Sequence, residues 1–199
     1  MTDLPTRPVV LASRLILALA AVALTDLAVS AFSAAWIADE GPRFLASPLA
    51  REFYEPELLV ENVTRNLHWH AVTGAVLAAV FGALGILVRR EQTTFRNLIW
   101  AGGFAAVYWL SCGVGVSTDY ASPKDSLAPQ WSTTDLGLIP PWYTDLRSVL
   151  TSAELALLLL GCLQLLRHGA WEYYRRQTSE VSLGELYRRR QERLKREQA

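Results

Sequence analysis

The sequence predicts an all-α integral membrane protein: a four-helix transmembrane bundle over residues 1–170 and a basic, helical cytoplasmic tail over 171–199. Three observations lead there. Of the 199 residues, 51% are hydrophobic, yet the formal net charge is zero. The apolar residues gather in four stretches, 9–37, 71–88, 98–116 and 148–166, and about 20 apolar residues suffice to cross a hydrocarbon core. Most of the charges cluster between these stretches. Zero net charge also argues against a global field drawing nucleic acid to the chain.

The first stretch is the longest. A signal peptide is its rival reading, with Arg7 and Arg14 as the basic region and "AVSAFSAAW" as the cleavage site; the length of the stretch favours a retained helix. Lys and Arg set the orientation. With the N-terminus inside, the inner segments hold 14 of the 19 cations, and the outer segments hold five cations with ten acids. Both termini are therefore expected in the cytoplasm of a multi-pass protein, with two long outer loops at about 38–67 and 117–147. The Ala/Leu/Arg-rich composition suggests a bacterial inner membrane.

The second helix carries small residues, among them Gly74, Ala78, Gly82 and Gly85, which let helices approach closely. Pro140-Pro141-Trp142-Tyr143 reads as an interfacial aromatic anchor before the fourth helix. Cys112 and Cys162 differ in depth by roughly 10 Å, too far for a disulfide. The tail has a thin apolar stripe and six cations between Arg188 and Arg196, suited either to an anionic leaflet or to solvent.

The informative residues are charges inside apolar stretches. Asp26 lies near the middle of "ILALAAVALTDLAVSAFSAAW" and Glu154 in the fourth helix. An ionisable group at bilayer depth costs on the order of 2.5–3.5 kcal/mol on insertion scales. Counted along the two helices, Asp26 lies ~21 Å and Glu154 ~20 Å from the same face, and first and last helices of such bundles are commonly neighbours. No buried Lys or Arg is evident at that depth. A carboxylic acid in an apolar cavity can donate a proton; the structural alternative is a hydrogen bond to Thr25, Ser30, Ser111, Thr151 or Ser152. His68 and His70 stand at the outer mouth of the second helix, two apart and so on different faces; one of them could line a cavity. Tyr108, Trp109 and Trp142 are the expected aromatic lining. No metal or haem ligand set is evident, and no cofactor is expected.

The first outer loop reads "PLAREFYEPELLVEN". Together with Thr25-Asp26-Leu27, the run Arg51-Glu52-Phe53-Tyr54-Glu55-Pro56 resembles the emopamil-binding and sigma-two receptor superfamily, the EXPERA domain. In that family a first-helix acid is followed by a basic-Glu-aromatic segment leading to a second acid on a loop that dips into the membrane. The resemblance implies a four-helix fold with cytoplasmic termini and intramembrane carboxylate chemistry on sterol-like molecules. It makes Asp26 and Glu55 the paired acids, with His68 or His70 where the family has a Glu.

Two functions follow as expectations. One is a small intramembrane enzyme of isomerase, cyclase or epoxide hydrolase type, binding a hydrophobic lipid- or terpenoid-like substrate, with Asp26, Glu55 and Glu154 as catalytic acids. The other is a non-catalytic accessory or assembly subunit, in a homo-oligomer or a larger membrane complex. Membrane lipids are partners under either.

Overall fold

A computed structural model describes residues 6–89, 93–113, 120–121 and 131–175, with backbone alone at 93, 95, 107–113 and 120–121. The chain forms helices α1 (Arg7–Ala46), α2 (Pro56–Leu87), α3 (Thr93–Gly113) and α4 (Tyr143–Leu166). A 3₁₀ turn, Pro48–Glu52, joins α1 to α2, and strands β1 (Tyr120–Ala121) and β2 (Trp131–Ser132) pair antiparallel. Helices α1, α2 and α4 are long and apolar enough to cross a bilayer, which makes this an α-helical, multi-pass membrane protein. The side chains of Tyr108, Trp109, Ser111 and Cys112 lie outside the described residues, as does the tail from 176 onward.

The expected first loop is mostly helix. With 40 residues, α1 runs through the proposed cleavage site to Ala46, so the hairpin connection shrinks to residues 47–55. A proline at the first turn of α2 and Glu57 just behind it suit a helix N-terminus. The hydroxyl and amide of Ser47 both donate to the Phe44 carbonyl and close the end of α1. The sequence suggests a loop there because the long apolar stretch ends at Ile37. A helix outside the membrane needs only a one-sided stripe, and Ile37, Gly41 and Phe44 supply it.

Packing centres on α1, against which α2 and α4 both lie. Gly74 makes the tightest approach: a Cβ there would meet the Ala23 carbonyl and the Leu27 amide at 3.0 Å each. Gly74→Ala is therefore expected to cost about 1–3 kcal/mol, since backbone cannot move aside as a side chain can. At Gly85 the nearest atoms belong to the Leu17 side chain, so Gly85→Ala should cost less. Thermal unfolding of the two variants in detergent checks the order.

Buried side chains form two apolar cores. One, at the end of the bundle bearing the termini, joins Val9, Ile16, Leu19, Phe81, Ile99, Leu158 and Leu165 to Tyr173 and Tyr174. The other, at the hairpin end, joins Ile37, Phe44, Phe53, Val63 and Leu67 to Leu136, Leu138, Ile139 and Tyr143. Residues 131–142 thus form a packed cover over the hairpin end. Gly137 turns that cover with φ of 69°, and Trp36 Nε1 donates to its carbonyl at 3.1 Å.

After α4 the chain bends at Arg167 and resumes as a helical segment, 168–175. The Tyr174 hydroxyl donates to the Val88 carbonyl at 2.7 Å, and that of Tyr173 to Arg89 at 3.0 Å. These bonds satisfy carbonyls left open at the end of α2. Arg96 stacks over the rings of Trp171 and Tyr174. Burial, with neighbouring Tyr173, pushes the Tyr174 phenol up despite Arg96, so it remains a donor at physiological pH. The start of the expected tail is thereby docked into the bundle.

Candidate functional site: a polar layer between two cores

Helix registers place the candidate residues. Along α1 and α2, Gly41 meets Val60, Gly74 meets Ala23 and Leu27, and Gly85 meets Leu17; His70 is then level with Ser30. Along α1 and α4, Gly161 meets Ile16; Arg147 is then level with Ser30, and Glu154 with Ala23. Asp26 is three residues further along α1, an offset of about 4.5 Å. A polar layer about 16 Å deep along α4, reaching from the edge of the hairpin-end core, therefore collects Asp26 and Ser30 from α1, His70 from α2, and Tyr143, Arg147 and Glu154 from α4.

Local helical pattern aims each of them inward. On α2, Val63, Leu67, His70, Gly74, Ala78 and Phe81 follow one another at steps of three and four, a single face. His70 sits on that face half-buried, whereas His68 is exposed. On α4, Tyr143, Arg147, Glu154, Leu158, Gly161 and Leu165 form the equivalent face. Glu154 retains only 2% of its surface.

Arg147 corrects the expectation that no cation lies near the acids: it stands level with Ser30, one turn of α1 from Asp26 and two turns of α4 from Glu154. By sequence it belongs to the outer loop, because the apolar stretch begins at Ser148. The helix begins earlier, at Tyr143, and carries Arg147 inside. Its Nη2 donates to His70 Nδ1 at 2.9 Å. Because a guanidinium has donors only, Nδ1 must be unprotonated, and neutral His70 carries its proton on Nε2. The charge of Arg147 also reaches Asp26, Tyr143 and Glu154, and the charge of Asp26 reaches Glu154.

Four oxygens of this layer are buried without a hydrogen-bond partner: Asp26 Oδ1, Ser30 Oγ, Tyr143 Oη and Glu154 Oε1. The Tyr143 hydroxyl lies near Ser30 and Arg147 without a well-formed hydrogen bond to either. Thr25, one of the hydroxyls that could have satisfied Asp26, instead donates to the Ala21 carbonyl at 3.1 Å, and Ser152 is exposed. Buried polar atoms are ordinarily bonded, so four such atoms in one layer mark it as the place where this fold departs from simple packing.

A pocket of ≈ 20 Å³ adjoins the layer, lined by Val63, Asn66, Leu67, His70, Thr133, Ile139, Tyr143 and Arg147. It has room for a water or two, far less than a lipid or sterol needs.

Other candidates lie elsewhere. Glu55 is exposed at the N-terminus of α2, 19 residues and roughly 28 Å before Gly74, which packs at the level of Asp26. The structure does not bring Glu55 to Asp26. Trp142 is exposed and packs on Phe32 at 5.8 Å between ring centroids, near the hairpin end. Among the described residues no cluster of His, Cys, Asp and Glu could hold a metal, and Cys162 is a buried free thiol.

Comparison with known proteins finds no matching family model, no matching curated protein and no matching solved structure.

Proposed function

We propose that the chain is an intramembrane acid–base protein in which Asp26 and Glu154 act by proton transfer on an apolar, lipid- or terpenoid-like molecule reaching them from the bilayer. The reaction class is isomerisation, cyclisation or epoxide opening, each of which begins with protonation of an alkene or epoxide where water is excluded. The supporting observation is the pair of buried, unpartnered carboxylate oxygens across the α1–α4 seam. Arg147 would hold the charge that remains when one acid has given up its proton. In this reading α3 is the fourth span, both termini and the 171–199 tail are cytoplasmic, and the hairpin end faces outward. The likeness to the EXPERA superfamily supports the same chemistry, with Glu154 rather than Glu55 as the second acid.

The small size of the adjoining pocket favours a second reading, an accessory subunit whose projecting hairpin docks a larger membrane complex. Incubating the purified chain with isoprenoid alkenes and epoxides separates the two. Conversion is expected, and Glu55→Gln should convert at the wild-type rate, because Glu55 is remote from the layer. A chain that converts nothing and purifies in fixed ratio with another membrane protein is an accessory subunit. Cysteines placed at 60 and 190 test the orientation: only position 60 should label from outside.

A further inference from the structure

We infer that the pocket between α2, α4 and residues 131–142 is a port for water and protons, through which Asp26 and Glu154 exchange protons with the aqueous phase on the hairpin side of the membrane. This deepens the proposed acid–base reading by assigning the side from which the acids are recharged.

Three observations carry it. The pocket is partly open, admits a water or two, and is roofed by Thr133 and Ile139 of the hairpin-end cover. Two of its lining residues, Tyr143 and Arg147, belong to the polar layer and couple electrostatically to Asp26. From there the unpartnered oxygens of Tyr143, Ser30, Asp26 and Glu154 form a succession of hydrogen-bonding sites that leads to the acids. On the opposite side Gln164 Oε1 is also buried and unpartnered, near the level of Ser13, and apolar side chains separate it from the acids. Ile16, Leu19, Leu158 and Leu165 close the terminal-end core, about two helical turns of buried apolar side chains.

The groups facing the port are His70 and Asn66 from α2, Tyr143, Arg147 and Glu154 from α4, Asp26 and Ser30 from α1, and Thr133 from the cover. Among the described residues α3 brings no titratable group to it. The 2.9 Å contact between Arg147 and His70 spans the port. A proton arriving at His70 Nδ1 would break it, since both partners would then be donors. Asp26 and Glu154 therefore receive protons past a contact that itself yields to acid.

Carbodiimide labelling tests this in the full chain, because an apolar carbodiimide couples to carboxylic acids in their protonated form. The protein is placed in sealed vesicles of known orientation, the pH on each side is set independently with a proton ionophore absent, and adducts at Asp26 and Glu154 are read by mass spectrometry. Lowering the pH by one unit on the hairpin side is expected to raise labelling up to roughly tenfold. The same change on the side of the termini should raise it less than about twofold. Thr133→Phe, which fills the pocket, should abolish the hairpin-side response; should that variant fail to fold, the wild-type comparison decides alone. Labelling that follows the terminal side, follows both sides equally or responds to neither overturns the port. No substrate is involved, so the port can fail while the acid chemistry stands, and the reverse.

Discussion

Asp26→Asn is expected to leave the bundle folded and to lower turnover of the apolar substrate by roughly 10²–10⁴-fold, the usual worth of a positioned general acid. Asn has nearly the same shape and still forms hydrogen bonds, but it neither supplies an acidic proton nor bears charge. The half-buried position of Asp26 lets the amide be accommodated without a new cavity. Glu154→Gln should produce a loss of the same order. The two losses should not add, because Glu154 feels the charge of Asp26 and residues acting as a unit are strongly non-additive. Asp39→Asn, on the exposed part of α1 beyond the layer, is the matched control and should be silent. The measurement is product formation by variants of equal thermal stability. Full activity in Asp26→Asn makes the carboxylate structural and favours the accessory-subunit reading.

Arg147→Met is expected to give the largest stability loss among the layer residues, about 1–3 kcal/mol from the buried polar groups left without their partner. For a chain of this length that corresponds to roughly 2–4 °C in Tm per kcal/mol. Methionine fills much of the same volume, so the loss reports the guanidinium rather than a void. His70 Nδ1 would lose the donor it has at 2.9 Å, and Asp26 and Glu154 would lose a cation whose charge reaches both. Arg147→Lys should restore only part of the loss, because an ammonium is a compact point charge without the planar fork. Combining Arg147→Met with His70→Gln should give a coupling energy of 0.5–3 kcal/mol, within the range for residues in contact. Thermal unfolding of the single and double variants measures it, and an Arg147→Met chain as stable as wild type would show that the layer does not depend on this residue.

The helices were legible in the sequence where length and apolar content coincide, in α1, α2 and α4. The boundaries were less so, and the reason is physical. Hydropathy marks where a helix is wrapped in lipid, not where it begins, and Tyr143–Arg147 and Asp39–Ala46 are helical but polar on one side. That misplacement hid Arg147, although its distance of seven residues from Glu154 puts the two on one face of a helix two turns apart. The face of His70 could also have been found, since it falls in step with Val63, Leu67 and Gly74 while His68 does not. The approximate depth of Asp26 and Glu154 was accessible because it needs only helix rise, and the helix registers offset the two by about 4.5 Å. The position of Glu55 was not. A motif in a presumed loop says nothing about reach, and the helical hairpin carries Glu55 away from the acids.

The central claim is that Asp26 and Glu154 face each other across the α1–α4 seam inside the bundle. Its most direct test is thiol cross-linking in a chain lacking Cys112 and Cys162, with cysteines placed at 26 and 154, a short bifunctional thiol reagent, and proteolysis between the two positions. Leu24, 55% exposed on the lipid side of α1, pairs with 154 as the control. The account predicts that 26 and 154 become linked while 24 and 154 do not. Linkage through position 24 and none through position 26 would turn Asp26 away from Glu154 and contradict it.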